Sequence, residues 1–123
     1  MTASQPAQSS SVLIIDPSAE CREVLSTLLQ RRGVQTWVAA QARQALDVLD
    51  RHRPDVVVLD LDSDAADDSQ LRDRCTGHEA EGANYVLLGR ARTGMQSRAA
   101  GHVIPKPYHY APLIRTIEAL LGR

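Results

Sequence analysis

The sequence predicts an α/β fold built on one parallel sheet with helices on both faces. Two observations predict it. Short apolar runs alternate with amphipathic helical patterns along the chain, and the strongest runs are apolar throughout. Val12-Leu13-Ile14-Ile15 and Val56-Val57-Val58-Leu59 show no polar alternation, as expected of strands covered on both faces.

The elements follow in order. After the first strand, Ser18 is placed to cap a helix, with Glu20 and Glu23 in its first turns where the helix dipole favours negative charge. Cys21, Val24, Leu25, Leu28 and Leu29 recur at helical spacing, and Arg31-Arg32-Gly33 supplies a basic end and a stop. Val34 to Ala39 reads as the second strand. Ala42, Ala45, Leu46 and Leu49 form the stripe of a second helix that Pro54 terminates, and Val56 to Leu59 is the third strand. Asp62, Asp64, Asp67 and Asp68 make a solvated acidic loop, followed by a short helix from about Ser69 to Cys75 and a connector over Gly77 to Gly82. Tyr85 to Leu88 and His102 to Ile104 are the fourth and fifth strands. Only a weak helical pattern, Gln96 to Ala100, lies between them. Leu113, Ile114, Ile117, Leu120 and Leu121 make the stripe of the last helix. Strands and helices in strict alternation give a flavodoxin-like order: three layers, α/β/α, a five-stranded parallel sheet of order 2-1-3-4-5, and a fourth helix that is short or missing.

With 123 residues the chain fits one domain, here residues 12–123, behind a Ser/Gln/Ala-rich tail over residues 1–11 that reads as disordered. The core must be aliphatic, since there is no Phe, one Trp and three Tyr. The net charge of −1 and scattered arginines give no basic patch for nucleic acid. The start of the chain has no leader pattern and no run is long enough for a membrane span, which points to a cytoplasmic protein. Cys21 and Cys75 belong to no paired motif and read as reduced thiols. His52, His78, His102 and His109 show no ligand pairing and read as surface or loop residues, and Trp37 reads as a packing residue.

Chemistry concentrates at three strand ends. Asp16 follows the first strand and Asp60 the third. Lys106, the only lysine among fourteen Lys and Arg residues, follows the fifth in Ile104-Pro105-Lys106-Pro107. In one parallel sheet those ends meet in one crevice, where open α/β sheets hold their sites.

These residues resemble the receiver domain of bacterial response regulators over about Val12 to Leu121. Val12-Leu13-Ile14-Ile15-Asp16 is similar to its first strand and acidic turn. Pro54-Asp55-Val56-Val57-Val58-Leu59-Asp60-Leu61 is similar to its phosphoacceptor strand, and Pro105-Lys106-Pro107-Tyr108 to its Lys-Pro-aromatic signature, where the Lys-Pro bond is usually cis. The resemblance implies that Asp60 takes a phosphoryl group from a histidine kinase or phosphotransfer protein. It implies Mg²⁺ held by Asp16, Asp60 and the backbone carbonyl of Asp62, with Lys106 paired to a phosphoryl oxygen. It also implies a downstream protein target or an output domain, and a homodimer by family habit. Enzymatic turnover beyond self-phosphorylation and autodephosphorylation is not expected.

The chain departs from the family pattern at three places. Pro17 stands where a second acid is usual, which weakens the expected Mg²⁺ site. Gly89 (or Arg90, if the alignment slips by one) stands where a Thr or Ser hydroxyl is usual. Val103 replaces the aromatic that moves with that hydroxyl, and the Gly89 to Lys106 interval is shorter than usual. A second reading is therefore a phosphorylation-independent interaction module, with Arg90 or Arg92 either as surface charge or as a guanidinium reaching the site. A third is a haloacid-dehalogenase-like phosphatase, on the strength of Asp60-x-Asp62, but only Glu118 is acidic after Lys106.

Overall fold

The computed structural model describes residues 10–76, 84–89 and 101–122. The elements run β1 (Ser11–Ile15), α1 (Ala19–Gln30), β2 (Gln35–Ala39), α2 (Ala42–His52), β3 (Val56–Asp60), a 3-10 turn (Asp64–Asp67), α3 (Ser69–Thr76), β4 (Asn84–Leu88), β5 (Gly101–Ile104) and α4 (Tyr110–Leu120). The five strands form one parallel sheet of order β2-β1-β3-β4-β5, the order read from the sequence. Four helices stand among the described residues. Residues 1–9 of the expected tail, the 77–82 connector, the weak 96–100 helix and both Arg90 and Arg92 lie outside them, whereas Ser11, read as the end of that tail, is the buried first residue of β1 and pairs with Gln35.

The three layers follow from strand alternation. Successive side chains of a strand point to opposite faces. In β1, Leu13 and Ile15 therefore join Leu49 of α2 and Leu71 of α3 in one core. Val12 and Ile14 join Leu25 and Leu29 of α1 and Leu113, Ile114 and Ile117 of α4 in the other. The unbroken apolar runs are continuous because both faces of the sheet are buried.

Local signals explain most boundaries. Ser18 caps α1 by accepting the Cys21 N–H at 3.2 Å. Gly33 takes φ +82, which lets the Val34 N–H reach back to the Leu29 carbonyl at 3.1 Å. That bond assigns Val34 to the end of α1, so β2 starts at Gln35 rather than at Val34. α4 starts at Tyr110, ahead of its apolar stripe. Its first turn carries exposed Ala111 and Pro112, and a first turn needs no partner for the missing proline N–H. The acidic segment is more ordered than a solvated loop: Asp64–Asp67 form the 3-10 turn, and Asp68 Oδ1 accepts the Leu71 N–H at 3.0 Å at the head of α3.

No helix among the described residues is long and apolar enough to cross a membrane. Cys21 is a free thiol. His52 is exposed, as read, and its ring stacks on Trp37 with centroids 4.4 Å apart and planes 17° apart, tying the end of α2 to β2.

The two valines exposed at the sheet edges contrast with the buried interior. Leu13→Ala, which opens a cavity in a fully buried position, is expected to lower unfolding free energy by about 2–5 kcal/mol in urea denaturation. Val38→Ala, at 46% exposure, is expected to change it by less than about 0.5 kcal/mol.

Candidate functional site

Strand register decides which residues meet. Ile15 pairs with Leu59 across β1 and β3, so Asp16 and Asp60 leave the sheet at neighbouring places. Asp60 pairs with Leu88, and Leu88 with Ile104, which brings Gly89 and Lys106 to the same end. The β1–β3 junction is also where the chain reverses its direction of growth across the sheet, the usual place for a crevice. Backbone bonds pin the exits: Asp16 N–H to the Ala39 carbonyl at 3.0 Å, Leu61 N–H to the Leu88 carbonyl at 2.8 Å, and Gly89 N–H to the Ile104 carbonyl at 2.8 Å.

Asp60 is buried, and its Oδ1 accepts two bonds, from the Lys106 ammonium at 2.6 Å and from the Asp62 N–H at 3.0 Å. Its own carbonyl accepts the buried Ser63 hydroxyl at 2.6 Å, which holds the loop after β3 against the strand end. Lys106, two residues past β5 and followed by a cis Lys106-Pro107 bond, reaches a second carboxylate as well, Asp62 Oδ2 at 3.0 Å. Partial burial works against the ammonium, but the hydrogen bonds and charges of Asp60 and Asp62 outweigh it and hold its pKa above the usual lysine range.

Asp16 lies beside this cluster, within reach of the Lys106 charge but not hydrogen-bonded to it. The Ser18 N–H donates to its Oδ1 at 2.8 Å, and Arg22 donates to its carbonyl at 2.7 Å, so the first turn of α1 closes over the β1 exit. Burial raises the Asp16 pKa and the Asp60 charge adds to that. The Ser18 N–H, Lys106 and Arg22 oppose it without cancelling it. Next to it, Tyr108 and Tyr110 meet edge to face at 5.8 Å. Burial pushes the Tyr110 phenol up to about 12, with a hydrogen bond to Cys21 adding to the shift.

The three departures have distinct structural forms. Pro17 is exposed and carries neither donor nor carboxylate. Gly89 is buried with φ +116, a conformation that L side chains rarely adopt, and a Cβ there would lie 3.5 Å from Asp62 Oδ2 and 3.6 Å from Leu61 Cβ. Val103 is 38% exposed on β5. A cavity of about 430 Å³ opens between Asp62, Gly89, Pro105 and Lys106.

The structure thus joins Asp60 and Lys106 directly, sets Asp16 beside them, and adds a group that the sequence reading undervalued. Asp62 was counted for its carbonyl, whereas its side chain is an ion-pair partner of Lys106. Ser63 and Arg22 were missed outright. Neither offers a sequence signal beyond being three residues after Asp60 and six after Asp16. Among the described residues, no three His, Cys, Asp or Glu side chains converge as a metal cluster.

Comparison with known proteins agrees with this geometry. A family model described as the response regulator receiver domain matches residues 12–83, more than half of the chain. The response regulator MprA of Mycolicibacterium vanbaalenii is 31% identical over 120 aligned positions, covering 91% of this chain and 50% of that protein. The virulence transcriptional regulatory protein PhoP of Salmonella typhimurium is 30% identical over 118, covering 91% and 52%. The chain spans about half the length of these curated relatives. Among solved structures, a CheY-like response regulator receiver domain protein of Methanospirillum hungatei superposes with a TM-score of 0.76 at 24% identity, covering 92% of this chain and 94% of that one. The receiver domain of a sensor histidine kinase from Pseudomonas aeruginosa, which has a magnesium ion coordinated in its active-site cleft, superposes at 0.72 with 18% identity, covering 94% and 99%. The parallel sheet, the acidic strand ends with their lysine, and these relatives lead to one conclusion: this chain belongs to the response regulator receiver domain family of two-component signalling.

Proposed function

We propose that the chain is a working phosphoryl acceptor, with Asp60 as the nucleophile and Lys106 as the group that stabilises the transferred phosphoryl. The observation that carries this reading is the 2.6 Å contact between the Lys106 ammonium and Asp60 Oδ1 in a buried strand-end crevice. Lys106 and the Asp62 N–H both bond Oδ1, and no donor among the described residues bonds Oδ2. Oδ2 is then the oxygen available to attack phosphorus, while Oδ1 stays anchored. Lysine suits the task because a compact ammonium on a flexible stem can follow a group that arrives and leaves.

The donors near Asp60 fit a divalent cation of the Mg²⁺ class. Asp16 and Asp60 are buried hard oxygen donors, with the Asp16 pKa raised by burial and further by the Asp60 charge, and the Asp62 carbonyl supplies a neutral oxygen. When bound, such a cation offsets the repulsion between carboxylates and an incoming phosphate. With Pro17 in place of a second acid, the set holds one carboxylate fewer than the family pattern, so affinity should be low. The donor of the phosphoryl group would be a histidine kinase or phosphotransfer protein. Because the relatives are about twice as long, the receiver of the signal would be an output segment or a separate protein.

A phosphorylation-independent docking module is the second reading. Two observations favour it: Gly89 offers no hydroxyl to a phosphoryl group, and Asp62 already occupies Lys106. The Asp60-x-Asp62 pair that resembles a phosphatase motif sits in a receiver sheet, and family membership sets that reading aside.

Intact-mass analysis with acetyl phosphate separates the first two readings. One phosphoryl adduct that needs Mg²⁺ and disappears in Asp60→Asn is expected. Folded wild-type protein that takes up no phosphoryl group from acetyl phosphate or from a kinase would support docking alone.

Restoring the missing hydroxyl is not expected to restore the pattern. Gly89→Thr should lower unfolding free energy by about 1–3 kcal/mol in urea, since a β-branched residue is strained at φ +116.

Asp16 should make stability pH-dependent in a definite direction. Its folded pKa is raised above the ordinary value of 3.8, so the native state binds its proton more tightly than the unfolded chain does. Its contribution to stability therefore falls as pH rises from about that value through the higher folded one. Asp16→Asn is expected to raise the thermal midpoint at neutral pH without divalent cation and to flatten the acid limb of the stability profile. It should also diminish any Mg²⁺-induced increase in the midpoint.

A further inference from the structure

We propose that the Asp62 carboxylate regulates this site as an internal competitor for Lys106: it holds the ammonium while Asp60 is unmodified and must release it when a phosphoryl group is attached. This rests on the reading of Asp60 as the acceptor.

A lysine ammonium has three N–H donors, and here two are committed, one to Asp60 Oδ1 and one to Asp62 Oδ2. The Asp62 carboxylate stands beside Gly89, where an added Cβ would meet it at an ordinary contact distance of 3.5 Å, and it borders the cavity that Gly89, Pro105 and Lys106 also line. The wall of that cavity next to Lys106 therefore already carries an anion. Two carboxylates, Asp60 and Asp62, share one lysine ammonium, so this group starts with a formal charge of −1.

Transfer from acetyl phosphate forms a bond between an Asp60 carboxylate oxygen and phosphorus and breaks the bond between phosphorus and the acetyl oxygen, with acetate leaving. Asp60 gives up its own charge and gains a dianionic phosphoryl group, so the group moves to −2 with no proton exchanged. Lys106 is the only cation in direct contact with the cluster's carboxylates among the described residues. The phosphoryl group and Asp62 then compete for its donors. Asp62 can yield because its side chain is 64% exposed and can turn to water, whereas buried Asp60 cannot. Exposed ion pairs are weakly held in any case. The competition selects for a strong, dianionic ligand over the resident monoanion, and it makes the idle state one in which the lysine is occupied.

The test uses the full chain as wild type, Asp62→Asn and Asp60→Asn, with acetyl phosphate over a series of Mg²⁺ concentrations up to saturation. Adduct formation is followed by intact mass. Because Lys106 is the only lysine, its ¹⁵N ammonium signal reports the pairing without site assignment. Asp62→Asn keeps the shape and removes the charge. It is expected to shift the Lys106 signal before any phosphodonor is added and to speed adduct formation about two- to fivefold, the range expected for losing an exposed ion-pair competitor. Adduct at equal rates on both chains, or an unmoved Lys106 signal, would overturn the proposal alone. Slower transfer in Asp62→Asn with a raised Mg²⁺ requirement would overturn it too, assigning the carboxylate to the cation instead. No adduct on any chain, from folded protein, would overturn the acceptor reading and this inference with it.

Discussion

The register of the parallel sheet is the constraint on which the site depends. Ile15 lies level with Leu59, and Leu88 with Asp60 and Ile104, so three exits separated by long stretches of chain open at one edge. A one-residue slip of any strand would exchange its core-facing sets and carry its charged terminus away from the others. Two apolar cores, one on each face, prevent that slip. The same aliphatic packing that stabilises the domain is therefore what places the Lys106 ammonium 2.6 Å from Asp60.

The site is built against its own electrostatics. Buried carboxylates are costly unless bonded or paired. Asp60 meets that demand with Lys106 and the Asp62 N–H, and Asp16 meets it only in part, through the Ser18 N–H. The residual strain appears as the raised Asp16 pKa, in which the Asp60 charge adds to burial. A pair of acids kept close despite repulsion marks a place arranged for a positive or charge-accepting ligand more than for stability. Where the family pattern would supply another acid and a hydroxyl, Pro17 and Gly89 supply neither. The side chain of Asp62 enters instead, on the lysine rather than beside Asp16.

The backbone at Gly89 links these features. Its φ of +116 suits glycine, its N–H is spent on the Ile104 carbonyl, and it lies next to the Asp62 carboxylate. The departure at position 89 and the ion pair at position 62 are thus neighbours in space. Loss of the hydroxyl is a change in local backbone as well as in side chain.

The fold, and the gathering of Asp16, Asp60 and Lys106 at one end of the sheet, were legible in the sequence because both depend on short-range patterns. Unbroken β-branched runs can be satisfied only by strands covered on both faces, and amphipathic stretches between them force parallel crossovers. A charged residue just past such a run must then lie at the strand's end, which is why Asp16, Asp60 and Lys106 could be named from their neighbours alone. What the sequence could not decide were contacts between side chains far apart along the chain and the backbone angles beside them. That Lys106 is shared by Asp60 and Asp62, that Arg22 and Ser63 brace the two aspartate exits, and that His52 stacks on Trp37 all depend on rotamers and loop paths. Tertiary packing selects those after the strands are in register, since one-dimensional spacing carries the period of an element but not the direction in which a loop side chain turns.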